Sequence, residues 1–305
     1  MEWNVKAAGR AQALRDGIVA ILAAVLLLSL SDAIVKLSGS RFSLAQLVLL
    51  RSVVAAAIIA AATVALGARP FSLVSVSRWV WLRSLCLAAM LLCYYAALPL
   101  MSFALAAACY YTAPVWIALL ARATGGEGIG ILRWTGIAIA LAGVLTALDL
   151  GAADFGPAVL LPLTAGLFYA LAAVVTARKC AHTNAFAMAF NLNLVLVAAS
   201  GLGLGGLALS GFHVPGDFVT GLWPGLAMTD WLLALLLGVF LAIITALVAH
   251  AYSTAPATVV GVFDNGYLVF AAIWSLTLFG TAPGATELLG LSMITVGAVL
   301  ATPRR

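Results

Sequence analysis

A few ionisable and hydrogen-bonding side chains stand inside an otherwise apolar chain, and their spacing limits the chemistry they could do. Asp32 and Lys36 in SDAIVKL are four residues apart, which places both on one helix face and within pairing range. Arg51 ends the run LVLLR, and its planar fork suits a carboxylate. Asp264 and Asn265 interrupt GVFDNGYLVF. Tyr110, Tyr111, Tyr169, Tyr267 and Trp274 supply aromatic surface, while Asn191, Asn193 and His250 add polar groups. His182, His213 and His250 have no metal-ligand spacing, so no metal site is expected. Cys86, Cys93, Cys109 and Cys180 show no CxxC pattern and read as small buried hydrophobes. GGEGIGILR lacks the GxxxxGK[ST] phosphate loop, and no nucleophile stands beside a base. Neither a cofactor nor an enzymatic activity is expected. A structural or assembly subunit would have no need of these interior polar residues, whereas recognition of a small molecule would.

The elements that must position these residues are membrane spans. Of the 305 residues, 65% are hydrophobic and 8% charged, against roughly 45–50% and 25% in soluble domains. Apolar runs of roughly 20 residues recur along the whole length. Ten helices are expected, at 17–38, 43–66, 78–98, 101–122, 130–148, 156–177, 184–209, 230–253, 257–280 and 286–302. The longest connection, 210–229, holds Pro215, Asp217, Trp223 and Pro224. The first run follows Lys6, Arg10 and Arg15 and is too long for a signal peptide's core, so it reads as an uncleaved span.

Basic residues orient the chain. Lys6, Arg10, Arg15, Arg69, Arg78, Arg83, Arg122, Arg133, Arg178, Lys179, Arg304 and Arg305 fall on the N-terminal side, against Lys36 and Arg41 on the other. Positive charge accumulates on the cytoplasmic side, so both termini are expected there. The net charge of +5 is spread over span ends, which excludes a nucleic-acid partner and leaves membrane lipid and a small-molecule substrate.

Internal similarity sets the architecture. Tyr95-Ala-Ala-Leu-Pro99 resembles Tyr252-Ser-Thr-Ala-Pro256, and the same offset of 157 pairs Tyr110 with Tyr267 and Asp264 with Ala107. Gly136 and Gly143 pair with Gly290 and Gly297 at an offset of 154. Two halves, 1–150 and 151–305, would each hold five spans. An odd number of crossings inverts the second half, the plan of secondary transporters with a site between the halves. The glycines would pack helices within the chain or between chains.

LPLMSFALAAACYYTAPVWIALLA (98–121), the GGEGI after it, DAIVKL (32–37), Arg51 and FDNGYLVFAAIWSLTLFG (263–280) resemble the EamA repeats of the drug/metabolite transporter superfamily. The resemblance covers nearly the whole chain. It implies an all-α membrane protein of ten helices in two inverted five-helix halves around a central cavity, in a bacterial-type inner membrane. It also implies export of small metabolites, most often amino acids, with uptake or exchange of S-adenosylmethionine as the alternative. The acid usual after the fourth span is Glu127, whereas its counterpart after the ninth is Thr281, with Glu287 displaced downstream.

A charge at mid-bilayer costs roughly 2.5–3.5 kcal/mol, so each intramembrane charge needs a partner or a function. Arg51 lies about 12 Å into its span, and Asp32 lies at comparable depth. The two are expected to pair, either as glue between helices or with Arg51 meeting a substrate carboxylate. Asp32, Lys36 and His250 are the ion-pair or coupling candidates. Arg51, Tyr110, Tyr111, Tyr169, Asn191, Asp264, Asn265, Tyr267 and Trp274 are the candidates to line a cavity. Tyr94 and Tyr95 are assigned to the outer aromatic belt, and Arg83 to snorkelling toward the cytoplasm. Asn191 and Asn193 do not share a helix face, so one at most should point inward. We expect a tag at either terminus to be reachable only from the cytoplasm; labelling from outside intact cells would reverse the orientation.

Overall fold

The computed structural model describes residues 2–39, 41–67, 73, 76–123, 130–147, 156–180, 183–255, 257–282 and 284–301. Arg69, Glu127, His182, Arg304, Arg305 and the boundary at 150/151 lie outside the described residues. Twelve α-helices and no strand form among those described: α1 (Glu2–Leu37), α2 (Leu44–Ala65), α3 (Arg78–Ala97), α4 (Phe103–Tyr110), α5 (Ala113–Ala123) and α6 (Ile131–Ala147), followed by α7 (Leu160–Lys179), α8 (Ala185–Ser210), α9 (Met228–Thr254), α10 (Ala257–Asp264), α11 (Gly266–Phe279) and α12 (Ala285–Ala301). Among the described residues, eight stretches are long and apolar enough to cross a bilayer, with α4–α5 and α10–α11 each contributing one. Two shorter apolar helices, Trp134–Ala147 and Ala285–Gly297, lie within α6 and α12. The chain is a multi-pass membrane protein.

Two expectations change. The first helix begins at Glu2 rather than near 17, because hydropathy marks where a span enters lipid, whereas the helix-forming Lys, Ala, Arg and Gln residues before it extend the same backbone. The stretches 101–122 and 257–280 are each divided. In the first, Pro114 lacks an N–H and restricts the residue before it, and Thr112 donates to the Cys109 carbonyl at 2.7 Å. In the second, Asn265 donates to the carbonyls of Gly261 (2.9 Å) and Val262 (3.3 Å), competing with the helix's own ladder, and Gly266 follows. Elsewhere the ends follow ordinary rules. Ser43 and Ser102 cap α2 and α4 with their hydroxyls, and Gly211 (φ 69°) ends α8 in the left-handed region.

The elements recur in order. α4 and α10 are each eight residues long and begin 154 apart, and α6 and α12 are each seventeen residues long and also begin 154 apart. Past the breaks, α5 and α11 begin 153 apart. The ends of α4 and α10 set Asp264 against Tyr110, whereas the ends of α3 and α9, Ala97 and Thr254, keep the 157 offset. The helix contacts come in mates under the same advance of six labels. α1–α9 matches α7–α3, α2–α9 matches α8–α3, α1–α11 matches α7–α5 and α1–α10 matches α7–α4, while α2–α8 and α6–α12 map onto themselves.

The glycine pairs lie in the α6–α12 contact, within the chain. A Cβ on Gly143 would stand 2.8 Å from the Gly290 carbonyl oxygen, and one on Gly297 would stand 2.5 Å from that of Gly136. Only a hydrogen at these positions allows the backbones so close. The four cysteines are free thiols, with Cys109 and Cys180 buried. At the end of the molecule holding the 211–227 connection, Phe218 accepts from the Leu44 N–H at 2.6 Å and Pro224 from the Gln46 side chain at 3.1 Å. Arg41 meets Asp230 at 3.5 Å. Hydrogen bonds from the Thr220 backbone and hydroxyl, and from the Val219 N–H, hold the Asp217 carboxyl below its ordinary range. We expect Gly290→Leu to destabilise the protein by about 1–3 kcal/mol through overpacking. Gly203→Ala, which meets nothing within 4 Å, should have little effect. Equal losses on detergent-solubilised thermal unfolding would remove the close contact as the cause.

Candidate functional site

Four helices bring their polar side chains to one buried point. Asp32 on α1 accepts from the Tyr95 hydroxyl of α3 at 2.8 Å and from the Tyr267 hydroxyl of α11 at 2.7 Å. Arg51 on α2 donates through Nη1 to the Tyr95 oxygen, with its guanidinium 5.0 Å from that ring's centre. Tyr94 and Tyr267 share a 2.9 Å hydrogen bond. Tyr267 spends its single proton on Asp32, so Tyr94 is the donor. Every proton in the chain therefore points toward the carboxylate, the arrangement an ionised Asp32 requires. Two charge-assisted bonds of roughly 1.5–3 kcal/mol each are large enough to offset the cost of a buried charge.

This geometry revises several expectations. Asp32 and Arg51 do not touch; the Tyr95 hydroxyl stands between them, because the phenol reaches the gap that separates α1 from α2. Lys36 does not pair with Asp32. Its ammonium donates to the Leu98 carbonyl at 2.6 Å and to that of Met101, and lies 5.4 Å from the Phe279 ring centre. It caps the 3-10 turn at Leu98–Leu100, where carbonyls are in excess. Tyr94 and Tyr95 are not belt residues: they are 4% and 2% exposed. The turn that follows them is itself covered, with Leu98 fully buried, so nearness to a helix end did not mean nearness to the lipid interface. Arg83 turns sideways, donating through Nε to Thr176 of α7 at 3.0 Å.

The remaining aromatic rings surround the helix breaks. Tyr110 packs on Tyr94 (5.2 Å between centres), Tyr111 (5.4 Å) and Tyr169 of α7 (5.7 Å). Tyr111 stacks on Tyr267 at 5.2 Å and 24°, and donates to the backbone carbonyl of Asp264 at 3.2 Å. α7 approaches closely because Gly166 has no side chain; a Cβ there would lie 2.9 Å from the Tyr110 carbonyl. The Asp264 side chain ends α10, half-buried, and its carboxylate has no hydrogen-bond or ion-pair partner among the described residues. Asn265 is 5% exposed, with Oδ1 unpartnered.

The other candidates stand apart from this cluster. Trp274 donates to Ser29 at 3.0 Å and ties α11 to α1. Asn191 accepts from Ser84 of α3 at 2.7 Å, while Asn193 donates back to Ala189 at 2.9 Å. Both asparagines are buried, contrary to the face argument, because α8 packs on α2 and α3 at once. His250 is exposed on α9. Apolar grooves of about 690 Å³ (Thr112, Trp116, Val144 and Leu163 among its walls) and about 520 Å³ (Leu268, Leu276, Leu291) hold none of the charged candidates.

Residues 15–148 match the EamA-like transporter family. Two curated relatives, each called a riboflavin transporter, are similar in sequence. The one from Vibrio cholerae is 28% identical over 204 residues, 63% of this chain and 64% of the relative. The one from Rhizobium johnstonii is 29% identical over 184 residues, 60% of this chain and 56% of the relative. The matched part thus spans under two thirds of either relative. A protein of known crystal structure, 22% identical, covers 94% of this chain and 97% of its own with a TM-score of 0.64, and shares the fold.

Tyr95→Phe keeps the ring under Arg51 but removes the bridging oxygen, so we expect a loss of about 2 kcal/mol of stability. Tyr94→Phe, at the end of the chain of donors, should cost less. Asp32→Ala should partly rescue Arg51→Ala, and additive losses in that cycle would argue against a shared network.

Proposed function

We propose that the whole chain is an EamA-type secondary transporter, built as two inverted five-span halves (1–150 and 151–305) with both termini in the cytoplasm, that carries a flat aromatic metabolite across a bacterial-type inner membrane. The family match over the first half and the two relatives support transport. The recurrence at 154 and the mated helix contacts support the inverted halves, whose rocking would alternate access. The observation that carries the substrate class is the cluster of Tyr94, Tyr110, Tyr111, Tyr169 and Tyr267 at the helix breaks, beside the unpartnered Asp264 carboxylate. Such rings stack on a planar heterocycle, and a carboxylate accepts hydrogen bonds from hydroxyl or imide groups. Riboflavin offers all three and is the first substrate to test.

The amino-acid reading assigns a substrate carboxylate to Arg51, which is 3% exposed and engaged by Tyr95. The S-adenosylmethionine reading calls for both acids unpaired, yet Asp32 is held by two tyrosines. Both fit this site less well than a neutral aromatic ligand does. For coupling, Asp32 accepts from two tyrosines, Lys36 is bound to carbonyls and His250 is exposed, so Asp264 is the acid best placed to exchange a proton.

Flux of riboflavin and of an amino-acid panel in proteoliposomes, with and without a pH gradient, tests this proposal. We expect saturable riboflavin flux that falls at least tenfold in Asp264→Asn, with membrane insertion unchanged. Undiminished flux in that variant would remove Asp264 from the site, and amino-acid flux alone would return the substrate to the other class.

A further inference from the structure

At the other side of the molecule from the Lys36 turn, α3 begins and α7 ends side by side. Trp79, half-buried, has the Arg78 guanidinium 5.4 Å and the Lys179 ammonium 5.3 Å from its ring centre. Both cations are exposed, and exposed Arg178 adjoins Lys179. About a turn further in, Arg83 holds Thr176 of α7 and keeps a buried Nη1 without a partner. The sequence supplies no counter-charge locally, since no Asp or Glu occurs between Asp32 and Glu127 or between Asp154 and Asp217. Charge signals that only orient a chain need no common geometry. These cations come from two different helices and converge on one indole.

We propose that the α3–α7 mouth, formed by Arg78, Trp79 and Lys179, binds the phosphate headgroup of an anionic phospholipid. The phosphodiester sits between guanidinium and ammonium, which attract it as point charges and as hydrogen-bond donors. The indole lies at headgroup level with its apolar body toward the acyl chains, the depth Trp favours. Its π-face holds the two cations in place before the lipid arrives. Occupation would fasten α3 to α7 without touching the tyrosine cluster. The proposal rests on the cytoplasmic orientation only for which leaflet supplies the lipid.

Purified protein in detergent, delipidated and then offered phosphatidylglycerol or phosphatidylcholine, is scored by native mass spectrometry for retained lipid. The wild type should retain phosphatidylglycerol preferentially. Arg78→Ala with Lys179→Ala should weaken that retention roughly thirtyfold, and Lys179→Ala alone roughly fivefold, as expected for the loss of two charges or one. Arg78→Lys with Lys179→Arg, which preserves the charges, should retain it. Equal retention of the two lipids, or undiminished retention in the double alanine variant, would overturn the site. Displacement of phosphatidylglycerol by millimolar inorganic phosphate would overturn the lipid assignment in favour of a free anion. Because the lipid is added in detergent, a reversed orientation on labelling would change the leaflet and leave this result intact.

Discussion

A carboxylate surrounded by hydrocarbon has no water to hold it, so the protein must bring donors to it from wherever its helices pass. Asp32 receives two phenolic protons, from α3 and α11, and the first of these phenols is in turn held by Arg51 on α2. The charge on α1 thus fixes the positions of three other helices. Tyr95 has two roles at once, donating to the acid and accepting from the base, which separates the two charges by one hydroxyl and leaves Arg51 Nε without a partner. A direct contact would bind two helices; this arrangement binds four.

The same cluster reaches the two helix breaks. Tyr267 is one residue past the start of α11, and its ring is stacked by Tyr111 at the end of α4. Both breaks free backbone groups at membrane depth, which is tolerated only where protein or a polar cavity covers them. Here tyrosines cover them. The fastening along α6 and α12 is of the opposite kind, backbone against backbone through glycine, with no polar group required. The bundle thus combines one glycine seam with one polar, divided centre.

Much of this was legible in the sequence because membrane insertion is governed by composition over a window. Span positions, the glycine pairs and the isolation of Asp32, Arg51 and Asp264 in apolar surroundings all follow from residue types and spacing. The breaks were half-visible, as Pro114 and as the Asn265-Gly266 pair, but a hydropathy window averages over a single interrupted turn. The offset of 157 read from Tyr95 and Tyr252 recurs at the ends of α3 and α9, and the three-residue change to 154 falls before α4 and α10, so only the pairing of Tyr110 with Tyr267 is out of register.

Which partner each polar group chooses was a matter for the tertiary structure alone. Helical spacing allowed Lys36 to reach Asp32, and comparable depth allowed Arg51 to do so. Two tyrosines from α3 and α11 arrived first, and Lys36 found unsatisfied carbonyls at Leu98 and Met101 instead. The sequence by itself determined that these charges lie within the membrane and must be satisfied there. It could not determine by whom, because which donors come within reach of a buried acceptor is set by how the helices pack.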